Sequence, residues 1–200
     1  MGFLKKLFGR ARAPVVVVSG LPRSGTSMMM KMLEAGGLEI ITDEIRKPNE
    51  DNPKGYYEFE RVKKLPEGDT GWLRVAPGKC VKIISALLLH LPSDYDYKVL
   101  FMRRKMEEIL ASQRKMLVRR GEATESVDDG EMGQMFEKHL AKVYAWMKEQ
   151  SNLEYINVDY NRVLEEPHLL VERIDGFLEQ DLDLERMEAV VDPTLYRQRR

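Results

Sequence analysis

The stretch Gly20-Leu21-Pro22-Arg23-Ser24-Gly25-Thr26-Ser27 carries the most legible chemistry in this chain. Its spacing is that of a phosphate-binding loop: a glycine, four residues, a second glycine, one residue, then Ser or Thr. In such a loop successive backbone N–H groups converge on an anion, and a helix beginning near Thr26 adds the positive end of its dipole. Glycine lets the backbone come close to the ligand. The lysine that a nucleoside-triphosphate loop carries after the second glycine is absent. Thr26 stands there, and the nearest cation is Arg23. The later apolar strand that could end in a magnesium-binding aspartate ends instead in Arg103 and Arg104. Arginine and hydroxyls without a magnesium ligand suit a less charged 5′-phosphoryl group than a magnesium triphosphate.

The flanking sequence predicts the elements that hold this loop. Val15 to Ser19 is a continuous β-branched run, the pattern of a strand buried on both faces of a parallel sheet. Met28, Met29, Met32 and Leu33 share one helical face after the loop, and Gly36 with Gly37 supplies a stop. Strands are expected over Lys79–Ile84, Tyr97–Met102 and Leu153–Val158. Helices are expected from Met106 to Leu117, from Met132 to Met147, and from Pro167 to Leu178. Glu122–Gly130 reads as a polar surface loop, and loops are also expected between Glu39 and Leu73. Strands alternating with helices predict an α/β fold, a three-layer sandwich around a mainly parallel sheet. Residues 14–200 form one domain in this reading, after a basic extension at 1–13.

The loop PRSGTS, Pro22 to Ser27, resembles that of the P-loop sulfotransferases. Those enzymes transfer a sulfuryl group from 3′-phosphoadenosine 5′-phosphosulfate (PAPS), leaving 3′,5′-adenosine bisphosphate. The arginine form is similar to the tyrosylprotein and bacterial members. The family also uses a strand-end arginine and a serine eight residues later for the donor's 3′-phosphate. Arg104 and Ser112 have that separation, and helical geometry brings them to one side; Arg103 is the alternative. Val158-Asp159-Tyr160 and Val163 to Pro167 resemble a further, mainly structural segment of the family. The resemblance implies a P-loop sulfotransferase fold. It implies that Pro22, Arg23, Ser24, Gly25, Thr26 and Ser27 hold the 5′-phosphate, that Arg23 stabilises charge on the leaving oxygen, and that Arg104 and Ser112 hold the 3′-phosphate.

A general base should remove the acceptor proton. Cytosolic relatives use a histidine two residues after a lysine; counted from Lys82, Ile84 occupies that place. Protein-tyrosine relatives use a glutamate after the first helix, which here implies Glu44, beside Asp43. Glu58 is the second choice, at the end of Asn52-Pro-Lys-Gly-Tyr-Tyr-Glu58, a stretch similar to one in bacterial members. His90 reads as a turn residue, His139 as a satisfied core histidine and His168 as exposed. Lys82, near a strand end, could approach the leaving group or acceptor, though a lysine in such a place more often faces solvent; Cys80 is expected to be a buried strand residue. No His/Cys/Asp grouping has metal-ligand spacing, so no metal is expected.

Composition bounds the remainder. The 200 residues have a formal charge of −1, which disfavours a nucleic-acid partner. No apolar run approaches the roughly 20 residues that span a bilayer. A single cysteine excludes an intrachain disulfide and favours the cytoplasm. Residues 1–12, MGFLKKLFGRAR, are basic and amphipathic and suggest at most weak membrane-surface contact. The acceptor, a small molecule or a peptide, is not encoded in any motif. A small-molecule kinase and a non-catalytic nucleotide-binding relative are the competing readings.

Overall fold

The structure is a computed structural model and describes residues 12–43, 45, 55–119, 121 and 128–192. The first strand, β1 (Val15–Gly20), is buried at all six positions. It lies in the middle of a five-stranded sheet with β2 (Ile40–Ile41), β3 (Cys80–Lys82), β4 (Tyr97–Arg103) and β5 (Leu153–Asp159), in the order β2-β3-β1-β4-β5. All four pairings are parallel. A parallel sheet needs crossover elements on its faces, and the unbroken valine run is what a strand covered on both sides requires.

Alternate residues of β1 serve different cores. Val16 and Val18 meet α1 (Thr26–Ala35), α5 (Tyr160–Glu165), α6 (Pro167–Leu178) and α7 (Leu184–Ala189) through Met29, Leu33, Val163, Leu170, Ile174 and Met187. Val15 and Val17 face α2 (Ser85–Leu88) and α4 (Asp129–Glu149) through Leu88, Val143 and Met147. The result is the expected α/β three-layer sandwich. The helix α3 (Met106–Arg119) follows β4 and buries Ile109 and Leu110. Pro167 occupies the first turn of α6, where its missing N–H costs nothing.

Three expectations are corrected. The strand expected over Lys79–Ile84 is Cys80–Lys82, because Ser85 already begins α2. Gly130 is not in a loop: α4 starts at Asp129, with the Asp128 carboxylate accepting from the Gly130 N–H at 3.1 Å. The region between Glu39 and Leu73 holds β2 and a 3-10 helix at Glu60–Glu67, and a second begins at Gly71 and runs to Val75. Val62, Leu65, Trp72 and Leu73 anchor these short helices in the second core. Periodicity could not show them, since fewer than three turns carry too few apolar positions.

Because every strand is parallel, their carboxyl ends collect at one edge of the sheet: Gly20, Lys82, Arg103 and Asp159. β1 has a neighbour on each side, so its end opens into the crevice where such folds place ligands. The packing of α1 beneath that edge is testable. Leu33 is fully buried, so Leu33→Ala should cost about 2–5 kcal/mol in urea unfolding, with the slope unchanged. A loss below about 1 kcal/mol would contradict the packing of α1 on the sheet.

Candidate functional site

The loop after β1 has the backbone of an anion nest. Arg23 and Gly25 both lie in the left-handed region, at φ 71° and 101°. The Ser24 hydroxyl donates to the Leu21 carbonyl at 2.7 Å, and the Ser24 N–H donates to it at 3.2 Å. Ser24 therefore closes the turn from within, while Pro22 is exposed. Gly25 precedes α1 directly and its carbonyl accepts from the N–H groups of Met28 and Met29, so helix geometry leaves those of Thr26 and Ser27 without intrahelical acceptors. The positive end of the α1 dipole thus points out of the loop.

Close approach explains both glycines. A Cβ on Gly20 would lie 2.6 Å from Ser24 Oγ and 2.7 Å from the Met102 carbonyl. A Cβ on Gly25 would lie 2.3 Å from Cδ2 of Tyr160. The Tyr160 ring, at the end of β5, is a wall of the loop.

The second sequence motif meets the first. Arg23 Nε donates to Ser112 Oγ at 2.9 Å, across 89 residues of chain. Arg104 NH1 donates to the Arg23 carbonyl at 3.1 Å. Arg104 Nε donates to Glu108 Oε2 at 2.8 Å, and its guanidinium lies over the Tyr160 ring, 4.5 Å from the centroid. Glu108 is fully buried and also accepts from Asn161 Nδ2 at 3.0 Å. Arg103 is exposed, so of the two arginines it is Arg104 that turns to the loop. Burial pushes the Tyr160 phenol above its ordinary value, against the pull of Arg104. Glu108, Tyr160 and Asn161 were not foreseen as site residues. In sequence, Glu108 is one of two acids in the first turn of a helix, which the dipole alone would explain.

Around the cradle the residues divide. Lys82 is buried, not solvent-facing: its Nζ donates to the Tyr56 carbonyl, which also accepts from Ser27 Oγ at 3.5 Å. Glu58 is half-buried; its carbonyl accepts from the Thr42 hydroxyl at 2.9 Å, and its carboxylate lies 3.9 Å from Lys63. The Asp43 carboxylate accepts from the N–H groups of Ile45 and Glu60, which makes it a brace of the first 3-10 helix. Glu44, the stretch 52–54 and the N-terminal residues 1–11 lie outside the described residues. Cys80 is fully buried and its thiol is pushed upward by burial. His90 sits exposed in the turn after α2, and His168 is exposed on α6. His139 is half-buried and shares a 2.9 Å hydrogen bond, through Nε2, with the Ser85 hydroxyl.

No family model matches the sequence, and no curated protein matches it. Solved structures do. A retinol dehydratase in complex with androsterone and the inactive cofactor PAP matches over 88% of this chain, at 18% identity and a TM-score of 0.49. This chain spans 62% of that protein's length. The sulfotransferase domain from the curacin biosynthetic pathway matches over 84% of this chain and 75% of its own, at 13% identity and a TM-score of 0.47. An unliganded sugar kinase from Janibacter sp. HTCC2649 matches over 90% of this chain and 99% of its own, at 14% identity and a TM-score of 0.44. These are likenesses of fold alone, to a dehydratase, a sulfotransferase domain and a kinase.

The arrangement can hold an anion at the loop and put cationic and hydroxyl groups beside it. Its dependence on Gly25 is measurable against Gly37, which shares a positive φ of 97° but faces open space. Gly37→Ala should cost about 1–2 kcal/mol from backbone strain alone. Gly25→Ala should cost at least about 2 kcal/mol more in urea unfolding, from collision with Tyr160. Equal losses would show that Tyr160 does not wall the loop.

Proposed function

We propose that this protein transfers a sulfuryl group from PAPS to a hydroxyl or amine of an acceptor. One observation carries the reading: two motifs meet at one carboxyl-terminal edge through contacts that span 89 and 81 residues, Arg23 Nε on Ser112 Oγ and Arg104 NH1 on the Arg23 carbonyl. Bound, the donor would supply the sulfuryl group and a bisphosphate that leaves with the bridging oxygen.

The residues fit such a ligand. The cradle would collide with a Cβ at Gly20 and Gly25, so it has the close backbone approach a phosphate needs. The N–H groups at the start of α1, with Thr26 and Ser27, take the 5′-phosphate, and Pro22 and Ser24 shape the turn. Arg23 supplies positive charge near the leaving oxygen, where it costs no reorganisation during reaction. Arg104 and Ser112 take the 3′-phosphate. The Ser112 hydroxyl accepts from Arg23 and keeps its own hydrogen for an incoming oxygen. Glu108 keeps Arg104 in place, and the Tyr160 ring limits where the guanidinium can move. Thr26, where a kinase loop carries lysine, is the reason for preferring this reading to a kinase. The acceptor is a small molecule or a peptide, and a lone buried cysteine fits a cytoplasmic setting.

Thermal-shift and calorimetric titration with 3′,5′-adenosine bisphosphate, without magnesium, tests this directly. Binding to the native state should raise the melting temperature, by the equivalent of about 2.7 kcal/mol at a hundredfold excess over Kd. Ser112→Ala should weaken binding about tenfold or more, the worth of a hydrogen bond to a charged group. A response only to ATP with magnesium would refute the reading in favour of the kinase.

A further inference from the structure

The pair Ser85 and His139 lies outside the phosphate cradle, yet the backbone fixes it at the same edge of the sheet. Lys82, the last residue of β3, pairs with Val18 of β1, and Ser85 begins α2 three residues later, at the carboxyl end of the strand next to β1. Neighbouring strands are about 4.8 Å apart. Ser85 is 1% exposed, and its hydroxyl holds His139 Nε2 at 2.9 Å. Nε2 is therefore anchored, which leaves Nδ1 as the ring nitrogen that can act.

His139 also marks where an apolar stripe leaves the core. Met147, Val143, His139 and Met135 follow one another at intervals of four along α4. Met147 and Val143 are buried, His139 is half-buried and Met135 is 65% exposed. Residues four apart on a helix are neighbours, about 6 Å between Cβ atoms. On the other flank Ile84, the residue before Ser85, is 41% exposed. The imidazole thus follows the exposed Met135 on its own helix stripe and is bonded to the residue after the exposed Ile84, at the carboxyl end of β3. An imidazole fixed through one nitrogen, with the second left to exchange a proton, is the form a positioned proton acceptor takes.

We propose that His139, anchored by Ser85, is the base that takes the proton of an apolar acceptor alcohol. This rests on the sulfuryl-transfer reading and gives a histidine the role that the family resemblance assigns to Glu44 or Glu58. A lone pair of the acceptor oxygen forms the new S–O bond. The bond from sulfur to the bridging oxygen breaks, leaving its electrons on the bisphosphate. The hydroxyl proton passes to Nδ1, and Nε2–H of the resulting imidazolium donates to Ser85 Oγ. Burial, with a smaller push from Lys142 on the same helix, holds His139 below the ordinary histidine value, so it is neutral near pH 7. The facing helix α2, Ser85-Ala86-Leu87-Leu88, brings no titratable group, and Arg114 of α3 pairs with Asp129 of α4.

The test uses the full chain, PAPS as donor and 2-naphthol as acceptor probe. Turnover of the wild-type protein should fall as pH drops below the ordinary histidine range. His139→Gln should keep its thermal response to the bisphosphate, lose about 10²–10⁴-fold in kcat and lose the acidic limb. His139→Asn serves if the glutamine variant fails to fold, and His90→Gln, in the exposed turn, should stay within twofold of wild type. A second readout needs no turnover. The His139 imidazole proton resonance, assigned by its absence in His139→Gln, should shift when 2-naphthol is added to the bisphosphate complex. Retained turnover with its acidic limb, or an unmoved resonance, overturns the proposal, as does no transfer to 2-naphthol by wild-type protein that binds the bisphosphate. Failure of the wild type to bind the bisphosphate is a distinct result, and removes the sulfuryl-transfer reading itself.

Discussion

The carboxylate of Glu108 is the constraint around which the site is arranged. It is fully buried, and a buried charge is tolerated only when paired and hydrogen-bonded. Arg104 and Asn161 meet that demand, one from the end of β4 and the other from α5. Satisfying Glu108 therefore draws together two strand ends and the start of α3. Arg104, held by its Nε, extends NH1 to the Arg23 carbonyl and lays its plane over Tyr160. Tyr160 in turn fills the space a side chain at Gly25 would need. The phosphate loop is thus shaped by a charge pair whose members lie more than 80 residues further along the chain.

The same arrangement reconciles two demands on Arg104. A phosphate ligand needs a cation that does not wander, and a long arginine side chain loses considerable rotamer freedom when fixed. Here Glu108 and the aromatic face absorb that cost during folding, before any anion arrives. Pre-organisation of this kind increases affinity without adding contacts to the ligand. The helix dipole of α1 complements it from the opposite side of the loop, as a fixed partial charge.

How much of this was legible in the sequence follows from the range of each interaction. Val15 to Ser19, the loop and the methionine face of α1 are local patterns, and each element formed within a residue or two of its expected place. Arg104 and Ser112 were legible through the family resemblance, and a strand end followed by two helical turns makes their meeting on one side plausible. Tyr160 was quoted only within a structural segment, since nothing local says that its ring reaches Gly25. Lys82 was misjudged because burial of a strand-end lysine depends on a carbonyl acceptor at Tyr56, 26 residues away. Ser85 and His139 are 54 residues apart, and in sequence Ser85 merely follows an expected strand while His139 reads as core. The short 3-10 helices escaped for want of a period. Apart from those short elements, what the sequence hides is a contact between elements.

One feature of α1 bears on chemistry of another kind. Met29, Met30 and Met32 are fully enclosed beneath the phosphate loop, and Met30 Sδ lies 3.6 Å from the Cys80 thiol. Thioethers are soft and conform to an irregular floor. They are also the side chains that peroxide converts to polar sulfoxides, but only when solvent reaches them. In the folded chain that floor is sealed, so its rate of oxidation follows the frequency with which α1 lifts from the sheet. The sulfur atoms under the loop are in effect a chemical clock for the breathing of the cradle they support.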